Sequence, residues 1–125
     1  MIFGARMFLY FLRATSWTLL AAIVFFTLVP PAVRPVTGAP HVLEHALVFF
    51  LTGVVFAFAY EVRSSTLLLS TIAFSISLEL VQSFAPGRHA RLSDALVDAA
   101  SMCLGIVMAR VGYRLWCFYR RAMDI

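Results

Sequence analysis

Six side chains able to do chemistry crowd one stretch of this chain: Glu79, Gln82, Arg88, Arg91, Asp94 and Asp98. Two more, Glu44 and His45, stand near the start of an earlier apolar run. Carboxylates and an imidazole can accept hydrogen bonds, exchange protons or hold a cation; guanidinium groups bind phosphate and carboxylate. Asp94, Asp98, Ser101 and Gly105 recur at helical spacing and form one polar-to-small stripe. Glu79 and Gln82 share a helix face for the same reason. Such groups are unexpected between apolar runs, because an ionised side chain at a bilayer centre costs roughly 2.5–3.5 kcal/mol even on lenient insertion scales.

The elements that must carry them are membrane spans. The chain has 125 residues, of which 62% are hydrophobic and 13% charged. Soluble domains of this size carry about 25% charged residues. A helix needs about 20 largely apolar residues to cross the hydrocarbon. Four windows qualify, at about 14–29, 41–60, 65–84 and 94–116, and predict an all-α bundle of four transmembrane helices in a single domain. Pro30, Pro31, Pro35 and Pro40 break the first joint, Glu61–Ser65 makes the second, and Pro86-Gly87 through Ser93 the third. Ser93 or Asp94 is the expected N-cap of the last helix. A basic start followed by an apolar run also resembles a signal peptide, but no clean small-x-small site follows it, and an uncleaved first helix is expected.

All ten basic residues are arginines. They flank apolar runs instead of alternating with aromatics over a patch, which argues against nucleic acid as a partner. Arg6, Arg13, Arg63, Arg110, Arg114, Arg120 and Arg121 fall on one side, and Arg34, Arg88 and Arg91 on the other. That asymmetry predicts both termini in the cytoplasm. With this topology Glu44 stands at the outer start of the second helix, and His45, Glu79 and Asp98 reach roughly one depth there, since Glu79 lies about 7.5 Å inside Phe84 and Asp98 and His45 each about 6 Å inside their own helix starts. The layer would suit the headgroup of a lipid or another small envelope molecule. It would equally serve as glue between helices, where contacts of this kind contribute about 0.6–2 kcal/mol.

Catalytic and metal readings are weaker. His41-Val42-Leu43-Glu44-His45 matches H-x-x-E-H, in which two histidines bind zinc and a glutamate acts as base. It is short enough to arise by chance, and no metal or other cofactor is expected. Ser93 has His89 and Asp94 nearby but no G-x-S-x-G elbow. Cys103 and Cys117 stand about 21 Å apart along a helix, too far to pair within it.

At these residues the chain resembles the VanZ-like membrane proteins, a family named after an accessory protein of glycopeptide (teicoplanin) resistance. The resemblance rests on two blocks. One is the segment His41–Gly53, with His45 and Phe49 at shared positions; the other is Glu79 and Gln82 followed by Arg88 and Asp94. Together they cover about half the chain. It departs from the family where His41-Val42 replaces an Asp-Lys pair, where Asp98 stands for an asparagine, and where Ser101 stands for a glycine. The resemblance implies a small multi-helix protein of the bacterial inner membrane, with a possible link to glycopeptide susceptibility. It supplies no reaction. A membrane-embedded hydrolase or transferase using Glu79 or His45 as base, and a structural partner of a larger complex, stay open as alternatives.

Overall fold

The computed structural model describes residues 2–30, 38, 40–84 and 91–123. It contains four helices: α1 (Ile2–Leu28), α2 (His41–Ala59), α3 (Ser64–Gln82) and α4 (Leu92–Met123). All four are long and apolar enough to cross a membrane. Among the described residues there is no strand, as expected where lipid leaves backbone groups no partner but each other.

The helix ends follow local chemistry. Pro40, with φ −58° and ψ 132°, precedes α2 and cannot extend a helix backward. Its carbonyl accepts from Leu43 and Glu44, which starts the first turn. Tyr60 ends α2 in an extended conformation. A short link through Glu61 and Arg63 then opens α3.

Two helices differ from the hydropathy windows. α1 starts at Ile2, well before Ala14, and α4 runs from Leu92 to Met123 instead of about 94–116. The first window opens after Arg13 and the last closes before the Arg120-Arg121 pair, because arginine is costly in hydrocarbon. The helix itself stops only where the backbone ladder fails, and no proline or glycine pair interrupts residues 2–13 or 110–123. At 1.5 Å per residue, α2 and α3 each span about 28 Å, close to the hydrocarbon thickness of about 30 Å. α1 and α4 reach about 40 and 48 Å.

α2 and α4 run parallel and form the most extensive helix pair; α1 packs on α2, α3 packs on α4, and α1 barely meets α3. Glycines decide the central crossing. A Cβ on Gly105 would collide with the Phe50 carbonyl and come within 3.1 Å of the Val54 nitrogen. A Cβ on Gly53 would strike the Met102 carbonyl. The two backbones touch here, the close approach that small residues permit in membrane helix pairs. Beside it, each helix sends one residue to a shared core: Ile23, Phe49, Leu78 and Met102.

The interior is polar as well as apolar. Ser16, Thr27, Thr52, Thr71, Ser75, Glu79 and Asp98 are all buried, while Phe25, Leu69, Leu96 and Phe118 are exposed on the outside. Lipid is as apolar as leucine, so hydrophobicity cannot sort these faces; packing and hydrogen bonding do. The Thr52 hydroxyl donates to the Val48 carbonyl at 2.7 Å and Ser16 to Arg13 at 2.8 Å, each satisfied within its own helix.

Candidate functional site

α2 and α4 present their first turns side by side, and this brings His45 against Asp98. Nδ1 of His45 lies 3.2 Å from Oδ1 of Asp98. Asp98 is only 5% exposed. The histidine ring also stacks on Phe49, with centroids 6.0 Å apart. Packing on Phe49 and bonding to Asp98 fix the ring from two sides. Asp98 thus has a specific partner across the helix pair.

Glu79 goes elsewhere. Buried on α3, its carboxylate accepts the backbone N–H of Arg91. The Arg91 carbonyl accepts from Asp94 and Ala95, which makes Arg91 the N-cap of α4. A glutamate reaching the N-cap nitrogen is half of a capping box, here supplied by a neighbouring helix. The carboxylate also meets the positive end of the α4 dipole, an interaction worth about 0.3–1 kcal/mol when exposed and up to about 2 when partly buried. The start of α4 therefore differs from expectation. Ser93 and Asp94 lie inside the first turn, and the Ser93 hydroxyl bonds to the Asp94 carboxylate at 3.1 Å.

The expected layer therefore has two levels. Arg91 precedes Asp98 by seven residues, so the Glu79 contact lies roughly 10 Å along α4 from the His45–Asp98 contact. Glu44, one residue before His45, is half-buried, and its Oε1 has no hydrogen-bond partner among the described residues. Gln82 is half-buried at the end of α3; the Arg91 side chain is exposed. Arg88 lies outside the described residues. Among the described residues no group of three metal-ligating side chains converges.

A second polar constellation, at the far end of α2, was not legible as a unit. The Arg110 Nη2 donates to the carbonyls of Tyr60 at 2.6 Å and Val62 at 3.1 Å. Arg13 donates through Nε to the Ala59 carbonyl at 3.3 Å and lies 5.3 Å from the centre of the Tyr60 ring. Trp17 donates its indole N–H to the Tyr60 hydroxyl at 2.6 Å. Arginines from α1 and α4 thus grip the carbonyl end of α2, where cations complement the helix dipole. In the sequence these residues register only as flanking charges and interfacial aromatics. The available signal was that arginine, tryptophan and tyrosine sit at matching helix ends.

Four apolar spans with buried carboxylates and histidine between them define a multi-pass helical membrane protein. Within that class the chain belongs to the VanZ/LLP1 family, whose model matches residues 1–114. No curated protein and no solved structure matches the chain.

Proposed function

We propose that the end of the bundle carrying Glu44, His45, Glu79 and Asp98 faces outward from a bacterial inner membrane, with both termini cytoplasmic, and binds the polar part of an amphipathic envelope molecule. The orientation is supported by the arginine asymmetry between the two ends. The observation that carries the binding reading is Glu44, whose buried Oε1 has no partner among the described residues. A buried acceptor left unsatisfied costs about 1–3 kcal/mol, more when charged, so such groups call for a donor. A hydroxyl or ammonium of the ligand supplies it. His45 and Asp98 hold each other in place beside Glu44, and Arg91 with Arg88 attracts an anionic headgroup. Altered glycopeptide susceptibility is the expected phenotype.

A second reading is favoured by the geometry of the other acids. Glu79 caps α4 and His45 bonds to Asp98, so these three already serve as interhelical contacts. They then stabilise the bundle, or a complex containing it, and bind nothing.

Substitution separates the two. Glu44→Gln and Glu44→Ala are expected to keep normal membrane abundance while failing to restore wild-type glycopeptide susceptibility to a deletion strain. Full complementation by both variants would sink the binding reading. Reporter fusions after Arg34 and Arg91 are expected outside and a fusion after Arg63 inside; the reverse pattern would place the cluster in the cytoplasm.

A further inference from the structure

The sparse contact between α1 and α3 leaves a groove at the opposite end from the acid cluster. It has a volume of about 340 Å³, within the range of small-molecule sites. Its deep part is mostly apolar, formed by Leu20, Phe56, Phe74 and Met102 beside the buried Thr71. Towards the Tyr60 end it becomes polar, through Tyr60, Thr66 and Ser70. Arg63, exposed, lies between the lining residues Val62 and Thr66, and Arg13 stands over the Tyr60 ring. Arg13 commits only Nε to the Ala59 carbonyl. Among the described residues at this end, Arg6, Arg13, Arg63, Arg110, Arg114, Arg120 and Arg121 face a single acid, Glu61.

We propose that this groove is a binding site for one chain of an anionic phospholipid, with its phosphate held between Arg13 and Arg63. The argument is one of matching gradients. The groove is apolar where it runs beside the core and cationic where it ends, and an anionic lipid has the same order along its length. A zwitterionic lipid fills the apolar part equally well but gains less from the arginines, since basic side chains near anionic lipid contribute about 1 kcal/mol each. The site is independent of the acid cluster, and neither reading depends on the other.

Trp17 lines the groove and, being 57% exposed, also meets bulk lipid, so the ratio of quenching by two lipids and not quenching itself reports the occupant. The chain has two tryptophans, so Trp116→Phe leaves Trp17 as the sole emitter. That variant is reconstituted into phosphatidylcholine vesicles containing equal mole fractions of either brominated-chain phosphatidylglycerol or brominated-chain phosphatidylcholine. Quenching of Trp17 is expected to show a relative binding constant about thirtyfold higher for the anionic lipid, the factor two such arginine contacts supply. Adding Arg63→Gln, a change at an exposed residue, is expected to lower the ratio to about fivefold, the share left to Arg13. Ser70→Phe, which occupies the groove, is expected to reduce quenching by both lipids. Equal quenching without Arg63→Gln would mean ordinary boundary lipid and would overturn the proposal. Absence of quenching by either lipid would overturn it too, because the groove would then be covered by protein such as a second copy of the chain.

Discussion

The two ends of α2 solve opposite electrostatic problems. At its start, beside the start of α4, the exposed backbone groups are N–H donors, and acids gather there: Glu79 on the Arg91 N–H, Asp98 on His45. At its finish the exposed groups are carbonyls, and Arg13 and Arg110 take them. Each end has the sign that complements the helix dipole. They differ in what is left over. The carbonyls of Ala59, Tyr60 and Val62 all receive donors, and what is left at that end is a donor, the buried Arg110 Nε. At the other end Glu44 keeps a buried acceptor oxygen; neither atom has a hydrogen-bond partner among the described residues. The contrast separates frame from candidate site by sign: the arginine end closes the bundle on its carbonyls, and the acid end has an acceptor left over.

The comparison presupposes that α2 and α4 stay in contact, so the largest effect is expected at their crossing. Gly105→Val places a branched side chain against the Phe50 carbonyl. It is expected to cost about 3 kcal/mol or more, the upper part of the overpacking range, and to remove folded protein from detergent extracts monitored by thermal unfolding. Next comes the arginine end. Arg110→Met leaves the part-buried Tyr60 carbonyl without its charged donor, while the exposed Val62 carbonyl can turn to water, and is expected to cost about 1.5–3 kcal/mol in the same assay, with Arg110→Lys recovering part of the loss. A neutral result would show that this end is not a frame.

The His45–Asp98 contact ranks third. A double-mutant cycle with His45→Gln and Asp98→Asn is expected to give a coupling of about 0.6–1.7 kcal/mol; zero coupling would remove the fixed ring from the site. Glu79→Gln keeps an acceptor for Arg91 but loses the charge, so a loss of about 0.3–2 kcal/mol is expected. Glu44→Gln is expected not to lower stability, because it removes the charge from a buried oxygen that has no donor among the described residues. It nonetheless carries the largest expected loss of envelope phenotype. If Glu44→Gln instead destabilises as much as Arg110→Met, the acid end is frame as well.

Much of this was legible along the chain. Long apolar runs separated by Pro-rich or charged joints admit only spanning helices, and the windows for α2 and α3 fall within a few residues of the observed ends. Of the stripe Asp94, Asp98, Ser101 and Gly105, Asp98 and Gly105 lie on the buried face of α4 with Ala95, Met102, Ile106 and Ala109, whereas Asp94 and Ser101 are only half-buried. Lengths of α1 and α4 were not legible, because hydropathy measures the part of a helix in hydrocarbon and says nothing of how far the backbone ladder continues into the headgroups. The Glu79–Arg91 contact was hidden for another reason. Cap signals are read from residues next to a helix start, and here the capping group comes from twelve residues back on another helix.

Sequence alone determined four membrane spans, their order, and the acids, histidine and arginines available at each end, because the transfer cost of side chains and backbone into lipid is set residue by residue. Only the tertiary structure decided which of those groups meet. Within lipid no hydrophobic force selects one helix face over another. The partner of each face is set by how closely backbones approach, and here Gly53 and Gly105 bring α2 against α4. That contact puts His45 on Asp98 and Arg110 on the end of α2, and leaves Glu44 with an oxygen to offer.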